Sequence, residues 1–548
     1  MRYSQWKILP PSSGGALPLA ILAARGIAPG EETARFIEPP LSDLHDPFLL
    51  PDMDKAVKRI EKAAAGGEKI AVYGDYDVDG VTAVCLMVEC LRSKGADCVY
   101  FIPNRIDDGY GLHAHIVRRM KGEGVSLIIT VDVGIVDFEA ADTAKELGID
   151  LIITDHHTCA GHLPDALAAI NPRRADSLYP NRDLAGVGVA FKLAAALESG
   201  EPPEKLVMKY GGLAALGTVA DIMPLTGENR VLAFHGINVL ASTPRLGISC
   251  IMEVLGFAGG KRTIDSSVIS YQIAPMINAA GRLGSADTAL ELLLTDDVQR
   301  ARYLASALGE ANTRRRELET EMYSQAETMC GNITNPAIVL SHTGWHQGVT
   351  GIVASKLMVK YGKPVFIITL NGVSGKGTAR CPRHISLTAL LERCADTLTG
   401  FGGHSAAAGF TVETARLAEF ENAVQNAVRD LDVSASGETL LIDAEVESED
   451  LTVKNAEGIA ALKPFGAGNP EPVLLLRGVY IKQIISLKGG RHLRLMISAG
   501  GAVYPVICFG FEQNGFRFRA GDIADIAFCL SLNHFRGVTL QLELKDIR

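Results

Sequence analysis

Residues 69–80, KIAVYGDYDVDG, are the part of the sequence most informative about the fold, because a short apolar run is followed there by three aspartates. The apolar part, 69–74, has the length of one buried β-strand. Apolar residues at helical spacing follow from 81 to 94 and end before Gly95. A strand, a polar loop that contains glycine and a helix are typical of a domain with a parallel sheet.

The same alternation of strand and helix continues outward from this stretch. Further strands are predicted at DCVYFIP (97–103), SLIITVD (126–132) and IDLIITDHH (149–157), with helical patterns between them. Short apolar strands that alternate with helices predict a doubly wound parallel sheet whose two faces are both covered.

Acidic and histidine side chains fall at the carboxyl ends of three of these strands. In chain order they are Asp75, Asp77, Asp79, Asp132, Asp155, His156 and His157. In a parallel sheet these ends share one edge, and open α/β sheets bind their ligands there. Asp221, where a helical pattern breaks before Pro224, is predicted to close the same cluster.

Carboxylates with one or two imidazoles favour Mn²⁺ or Mg²⁺ over zinc. Without cations so many carboxylates would repel one another, and two ions about 3.5–4 Å apart suit in-line attack on a phosphodiester. An EF-hand is the first alternative, but position 12 counted from Asp75 is Leu86 instead of glutamate. A helix N-cap is the second, and it is the commoner role of a single strand-end aspartate such as Asp132.

Composition and charge limit the class of protein. The 548 residues suffice for about three or four domains, and 47% apolar with 21% charged residues is globular composition. We find no apolar run of roughly 18 residues and no secretory h-region, and the ten cysteines form no C-x-x-C pair. We therefore expect a cytoplasmic protein with free thiols and no membrane segment. The net charge is −10, so nucleic-acid binding requires local patches or bound cations.

Two further motifs have competing interpretations. GVGVAF at Gly186 begins like a dinucleotide-binding fingerprint but lacks the third glycine and a preceding strand, which favours plain helix packing. Residues 471–548 carry ten Lys/Arg against six Asp/Glu, together with Phe509, Phe511, Phe516, Phe518 and Phe535 near Arg517, Arg519 and Arg536. These phenylalanines either stack on bases or belong to an ordinary β core, since alternating Phe and Arg favours one buried and one charged face.

Taken together, the motifs resemble those of a known family. GDYDVDG, TVDVGI, TDHH and TVADIMPL resemble, in this order, the four phosphoesterase motifs of the DHH family. PMINAAGRLGSA, WHQGVTGIVASKL, GTAR and FGGHSAAAGF continue the likeness into the DHH-associated domain, and ALKPFGAGNPEP resembles the start of an OB-fold module. The resemblance runs from about residue 50 to the C-terminus and is strongest to single-stranded-DNA-specific 5′→3′ exonucleases.

This resemblance implies an α/β fold of two lobes joined by a long helix, with a C-terminal OB-like β-barrel. The implied domains are a 1–49 extension, a 50–240 DHH domain, a 241–330 helical connector, a 331–432 DHH-associated domain and a 438–548 OB-like module.

The resemblance also implies residue roles. The implied ligands of two Mn²⁺ or Mg²⁺ ions are Asp77, Asp79, Asp132, His156 and Asp221. Asp75 lies beside them to ligate or to position water, Asp155 orients the imidazoles, and His157 faces the scissile phosphate. The implied substrate contacts are Arg282, Thr378, Arg380, Gly402, Gly403 and His404. Thr378 stands where the family usually has serine, which keeps the hydroxyl.

The implied activity is metal-dependent 5′→3′ degradation of single-stranded DNA to 5′-mononucleotides, in DNA repair and recombination. The implied partners are single-stranded DNA, a single-stranded-DNA-binding protein and a RecQ-type helicase, and we expect a monomer. Two alternatives stay open: a DHH phosphodiesterase acting on short oligonucleotides or cyclic dinucleotides, and an inactive single-strand-binding scaffold.

Overall fold

The computed structural model describes residues 3–10, 15–257, 264–331, 334–430, 439–487, 489–490, 492–511, 516–533 and 537–548. Two α/β lobes are joined by a long helix, and a β-barrel packs against the first lobe. The predicted fold class is confirmed. Within the described ranges, no helix has both the length and the apolar character needed to cross a membrane.

The N-terminal segment contains β1 (Gln5–Ile8), α1 (Leu17–Ala24) and α2 (Glu31–Ile37). Its strand β1 pairs in parallel with residues 439–442 of the C-terminal module. Ile21 and Leu22 belong to the barrel core, and the Trp6 indole donates a 2.9 Å hydrogen bond to the Asp546 carboxylate. The two ends of the chain therefore form one packed unit.

The first lobe is built on an all-parallel sheet. Its elements are α3 (Met53–Ala65), β2 (Lys69–Gly74), α4 (Val78–Ser93), β3 (Asp97–Phe101), α5 (Ala114–Gly122), β4 (Val125–Val131), α6 (Phe138–Glu146), β5 (Asp150–Thr154) and β6 (Ala168–Ile170). The strand order is β3-β2-β4-β5-β6. The four predicted strands all form, whereas β6 was not predicted because three residues give no periodic signal.

A helical region follows and ends in the long helix. Its elements are α7 (Gly186–Leu197), α8 (Pro203–Leu206), α9 (Gly212–Ala220), α10 (Gly227–Ser242), α11 (Leu246–Val254), α12 (Ser266–Val268), α13 (Ala274–Leu283), α14 (Asp287–Leu294) and α15 (Val298–Cys330). Asp297 caps α15 by accepting a hydrogen bond from the Arg300 amide. The first half of α15 packs on α11, α13 and α14, while Met322 and Ala326 enter the core of the second lobe.

The second lobe and the barrel complete the chain. The lobe contains β7 (Ile338–His342), α16 (Gln347–Tyr361), β8 (Val365–Asn371), β9 (Ser374–Arg380), α17 (Leu387–Arg393), β10 (Gly400–Gly403), β11 (Ala407–Glu413) and α18 (Leu417–Arg429). The C-terminal module begins with β12 (Thr439–Ile442), which pairs with β1 outside the barrel sheet. It continues with β13 (Ala444–Glu445), α19 (Val453–Ala460), β14 (Leu474–Leu487), β15 (His492–Ala499), β16 (Ala502–Phe509), β17 (Ile523–Asn533) and β18 (Thr539–Ile547). The lobe sheet is mixed, in the order β10-β11-β9-β8-β7, and pairing of β14 with β17 closes the barrel.

The phenylalanines of the C-terminal module mostly serve its core. Phe511 is buried in the barrel, and Phe516 and Phe518 pack against it, while Arg517 and Arg519 are exposed. The alternation predicts these two faces correctly. Phe509 is half exposed, and Phe535 and Arg536 lie outside the described residues.

Candidate active site

The predicted carboxylates and imidazoles meet at the carboxyl edge of the first sheet. Three groups each bring their ligand atoms within 4.8 Å of one another: Asp79, His156 and Asp221; Asp132, His156 and His157; and Asp75, Asp77 and Asp132. Asp221 ends α9 and closes the cluster from the side. The Nε2 atom of His156 is 3.2 Å from Asp132 Oδ1 and 3.7 Å from Asp221 Oδ2, so the cluster converges on His156.

The N-cap interpretation applies to Asp77 and not to Asp132. Asp77 Oδ1 caps α4 by accepting hydrogen bonds from the amides of Asp79 (2.9 Å) and Gly80 (3.1 Å). Asp132 precedes no helix directly, since α6 begins at Phe138. Its φ is 63°, a left-handed conformation that costs energy for a residue with a Cβ and that clusters at functional sites.

Asp79 is held by the N-terminus of α7, which begins with the glycine motif at Gly186. Its Oδ2 accepts a 2.7 Å hydrogen bond from the Gly186 amide and its Oδ1 a 2.8 Å bond from the Val187 amide. A Cβ at Gly186 would lie 2.4 Å from the Cβ of Asp132. The GVGV motif therefore packs a helix, as predicted, and its first glycine also lets that helix's free N–H groups reach the carboxylate.

Burial and mutual repulsion shift the titration of the cluster. Burial and the charge of Asp77 raise the pKa of Asp79 to about 7, and burial with the charges of Asp79 and Asp77 raises the pKa of Asp221 to about 8. The pKa values of Asp75 and Asp132 also rise well above the ordinary carboxyl range, chiefly because both are buried.

The donor atoms of the cluster fit divalent cations. Among the described residues, Asp75 Oδ1, Asp132 Oδ1 and His156 Nε2 are buried without a hydrogen-bond partner. Burial lowers the pKa of His156 to about 3, so its imidazole is neutral and can act as a ligand. Buried, unpartnered oxygens beside a neutral imidazole form the donor set that Mn²⁺ or Mg²⁺ accepts.

His157 stands beside the cluster in a different electrostatic state. Burial alone would lower its pKa, but a 2.7 Å contact between Nδ1 and Asp155 Oδ1 and nearby carboxylates raise it to about 9. Asp155 also accepts hydrogen bonds from the backbone amides of His156 and His157. Burial would raise the pKa of the Asp155 carboxyl, but the hydrogen bond and charge of His157 lower it to about 2. The Tyr110 hydroxyl, a contact that the motifs did not predict, lies 3.0 Å from His157 Nδ1.

A second cluster, of arginines, lies where the two lobes meet. Arg282 ends α13 and donates a 3.0 Å hydrogen bond from Nη1 to the Gly348 carbonyl of the second lobe. Burial, followed by the charges of Arg105 and Arg315, lowers its pKa to about 10, and burial and Arg105 also lower the pKa of Arg380. Within the described ranges, Arg105, Arg282 and Arg380 form no ion pair. Unpaired cations at one place form a site for an anion such as phosphate.

Arg105 is the member of this cluster that the motifs did not reveal. It lies after β3, at the same sheet edge as the carboxylates, and its guanidinium is 4.8 Å from the ring centroid of Tyr76. Its position after a predicted strand was the one available signal.

Thr378 lies on β9, the strand that also carries Arg380, and its hydroxyl contacts that of Thr350 at 3.1 Å.

The predicted glycine-rich loop faces the cluster from the second lobe. Gly402 and Gly403 form the exposed end of β10, and Gly403 has a φ of 144° that favours glycine. The next residue, His404, has its ring 5.9 Å from that of His157 and nearly parallel to it. The loop of the second lobe thus reaches His157 of the first lobe through His404.

Three segments of the chain match known domain families. Residues 69–218 match the DHH family N-terminal domain, residues 334–430 the DHHA1 domain, and residues 442–546 the RecJ OB domain.

Whole-chain relatives agree with this domain order. The chain is 36% identical to the single-stranded-DNA-specific exonuclease RecJ of Bacillus subtilis over 91% of its own length and 63% of that protein. It is 35% identical to the RecJ of Dickeya dadantii, over 96% of this chain and 95% of that one. Crystal structures of RecJ from Thermus thermophilus in complex with Mn²⁺ and with Mg²⁺ match with TM-scores of 0.83 and 0.78 and identities of 31% and 30%. Both matches cover 99% of this chain, and 79% and 78% of the respective crystallised chains.

Proposed function

This chain belongs to the RecJ family of single-stranded-DNA-specific exonucleases, and we propose that it degrades single-stranded DNA from the 5′ end to 5′-mononucleotides. One observation carries the proposal. A cluster of buried, repelling carboxylates lies beside arginines that form no ion pair within the described ranges, close enough for Asp77 to act on Arg282 and for Arg105 to act on Asp75. The first needs cations and the second needs an anion, and a phosphodiester bound with two divalent cations satisfies both.

The proposed metal ligands are Asp77, Asp79, Asp132, His156 and Asp221, with Asp75 beside them to ligate or to position water. Two bound Mn²⁺ or Mg²⁺ ions would lower the pKa of water and stabilise the attacking and leaving oxygens of an in-line displacement. Asp79 arrives pre-oriented because two backbone amides hold it. His156 presents Nε2 toward three carboxylates, and it stays neutral at physiological pH.

His157 and Arg282 are the proposed stabilisers of the developing charge. Asp155 keeps the His157 ring oriented and protonated at neutral pH, so the ring can donate a hydrogen bond to a phosphate oxygen. The 3′ oxygen leaves, and the arginine cluster, Thr378 and the Gly402–Gly403 backbone hold the 5′-terminal phosphate. His404 is proposed to contact the terminal nucleotide beside His157.

The strand is proposed to thread between the lobes. Direct contacts across the cleft support a narrow passage, since Lys376 donates from Nζ to the Ile106 carbonyl (3.0 Å) and Arg282 to that of Gly348. We propose the domain division 1–49, 50–240, 241–330, 331–432 and 438–548, with the last unit binding incoming single strand. A cytoplasmic location, a monomeric state, roles in repair and recombination, and delivery of substrate by a single-stranded-DNA-binding protein and a RecQ-type helicase are proposed from the family resemblance.

Product analysis on one strand labelled at either end tests the function. With Mn²⁺ or Mg²⁺, a 5′-labelled strand should release labelled mononucleotide at once, while a 3′-labelled strand should shorten progressively; EDTA and Asp132→Ala should abolish both. Efficient cleavage of dinucleotides with long strands uncut would instead indicate a small-substrate phosphodiesterase. Tight binding without cleavage under either metal would indicate a scaffold.

A further inference from the structure

The turn at residues 462–469 of the C-terminal module, here called the docking turn, packs directly on the chain that follows Asp221. The Leu225 amide donates a 2.7 Å hydrogen bond to the Ala467 carbonyl. A Cβ at Gly466 would lie 2.8 Å from Leu225 Cδ1, and one at Gly468 would lie 3.0 Å from Thr226 Cγ2. A Cβ at either position would therefore force a neighbouring side chain to shift, and the φ of 74° at Gly468 itself favours glycine.

Asp221 lies at the start of a strained backbone segment and is more exposed than Asp79. Its side chain is 31% exposed, against 1% for Asp79, which two amides hold. The residue after Asp221 is Ile222, a β-branched residue in the left-handed region with a φ of 58°. Such a conformation persists only where its surroundings impose it.

The surroundings of Ile222 are anchored on both sides. Upstream, the Asp221 amide donates to the Gly217 carbonyl at 2.8 Å, as the end of α9 requires. Downstream, the Met223 amide donates to the Thr218 carbonyl at 3.2 Å, and Leu225 is tied to the docking turn. The turn therefore fixes the far end of the strained segment that carries Asp221.

The docking turn is itself rigid. Gly466 and Asn469 exchange backbone hydrogen bonds of 2.9 and 3.2 Å, and the Asn469 amide group donates to the carbonyls of Leu462 and Pro464. A mobile turn could not impose a conformation on its neighbour, whereas this one has most of its polar groups in use.

Arg230 on α10 fastens the turn to the first lobe. Its guanidinium donates to the carbonyls of Lys463 (2.9 Å), Leu462 (3.2 Å) and Phe36 (2.7 Å), and it lies 3.7 Å from the Phe36 ring centroid. The residue is 3% exposed. A fully buried arginine whose described contacts are carbonyls positions backbone, because its planar fork fixes several acceptors at once.

We propose that the docking turn is a positioning element of the active site, through which the C-terminal module sets the direction of the Asp221 carboxylate and hence the affinity for divalent cations. The inference rests on the proposed role of Asp221 as a metal ligand. It gives the module a second task beside strand binding and makes the metal site depend on a segment more than 240 residues away in the sequence.

The test measures Mn²⁺ binding to the full-length chain by calorimetry, without DNA. Gly466→Ala should weaken Mn²⁺ binding by about tenfold, the lower end of what loss of an orienting contact costs a metal site. Gly458→Ala is the matched control: it crowds Pro18 in the same module (2.4 Å) but lies away from Asp221, and it should leave Mn²⁺ affinity unchanged. Arg230→Lys keeps the charge but loses the fork, and it serves as the second test variant should Gly466→Ala fail to fold.

Asp221→Asn distinguishes failure of the ligand assignment of Asp221 from failure of the positioning role of the docking turn. If Asp221→Asn leaves Mn²⁺ binding unchanged, the ligand assignment in the proposed function is wrong. If Asp221→Asn weakens binding but Gly466→Ala and Arg230→Lys do not, the ligand assignment stands and the positioning role of the turn is wrong. Equal weakening by Gly458→Ala would also overturn it, because general loosening of the module would then explain the effect.

Discussion

The carboxylate cluster and the arginine cluster carry opposite charges and lie beside each other, largely out of solvent, yet they are assembled in opposite ways. The carboxylates follow strands of one sheet or end a helix packed beside it, so a single lobe builds their cluster. Arg105, Arg282 and Arg380 come from a loop, a helix end and a strand of two lobes. All the proposed cation ligands therefore come from one lobe, whereas the proposed phosphate contacts come from two.

Breaking the carboxylate cluster should have the largest effect. Asp132→Ala removes the carboxylate shared by two of the three ligand groups, and we expect kcat/KM on single-stranded DNA to fall by at least about 10³-fold. The exposed Asp142→Ala, on α6 of the same lobe, should retain activity. Residual turnover within tenfold of the parent chain would remove Asp132 from the proposed ligand set.

Disrupting the arginine cluster should lower kcat/KM less than disrupting the carboxylate cluster does. The loss should also depend on whether the 5′ end of the substrate carries a phosphate. Arg380→Gln is expected to lower kcat/KM on a 5′-phosphorylated strand by about 10- to 100-fold, since hydrogen bonds to charged groups contribute about 1.5–3 kcal/mol. On a 5′-hydroxyl strand the loss should be smaller, because the anion is missing. Arg416→Gln, a surface arginine paired with Glu419, is the control. Equal losses on both strands would argue against a terminal-phosphate site.

The same difference in assembly explains what the sequence could predict. Asp75, Asp132 and His156 each follow a recognisable strand, and the geometry of parallel sheets places such residues at one edge. No such rule unites Arg105 with Arg282 and Arg380. The latter two came from family resemblance, and Arg105 was missed because its neighbours in space are distant in sequence.

Other features of the structure were not predicted from the sequence because backbone groups form them. The amides of Gly186 and Val187 hold Asp79, but an N–H group has no residue-type signature. The pairing of β1 with β12 joins segments more than 400 residues apart, and strands of only four residues show too few alternations to predict. Long-range backbone contacts were therefore the part of the structure that sequence patterns did not predict.

Crowding the carboxylate cluster without removing a ligand tests whether metal affinity and the preference for a 5′-phosphate change independently. Gly186→Ala would place a Cβ 2.4 Å from Asp132 Cβ and should weaken Mn²⁺ binding by about tenfold. It should leave the difference between 5′-phosphate and 5′-hydroxyl strands at saturating Mn²⁺ unchanged. Gly188→Ala, whose Cβ would only touch Leu184 at 3.3 Å, is the matched control. A changed end preference in Gly186→Ala would mean that the two clusters are not independent.

The smallest expected effect is on the free energy of unfolding. We expect the carboxylate cluster, and not the arginine cluster, to make this free energy depend on pH. The pKa values of Asp79 (about 7) and Asp221 (about 8) exceed the ordinary carboxyl value, whereas the lowered pKa of His156 (about 3) opposes them only below about pH 6.5. Between about pH 6.5 and 8 these groups therefore make the metal-free folded protein bind more protons than the unfolded chain. Its free energy of unfolding should therefore fall as pH rises through that range, and Mn²⁺ should raise the melting temperature more at pH 8 than at pH 6.

Asp132→Asn tests the cause of that pH dependence, because it retains the shape but removes a carboxyl whose ionisation burial and the neighbouring aspartates oppose. At pH 8, without metal, it should unfold with a free energy higher by on the order of 1 kcal/mol, which corresponds to roughly 2–4 °C for a domain of this size. Arg380→Gln should not steepen or flatten the pH dependence, since arginines stay charged throughout. A parent chain whose melting temperature does not decline between pH 6 and 8 relative to Asp132→Asn would show that the carboxylates tolerate one another without cations.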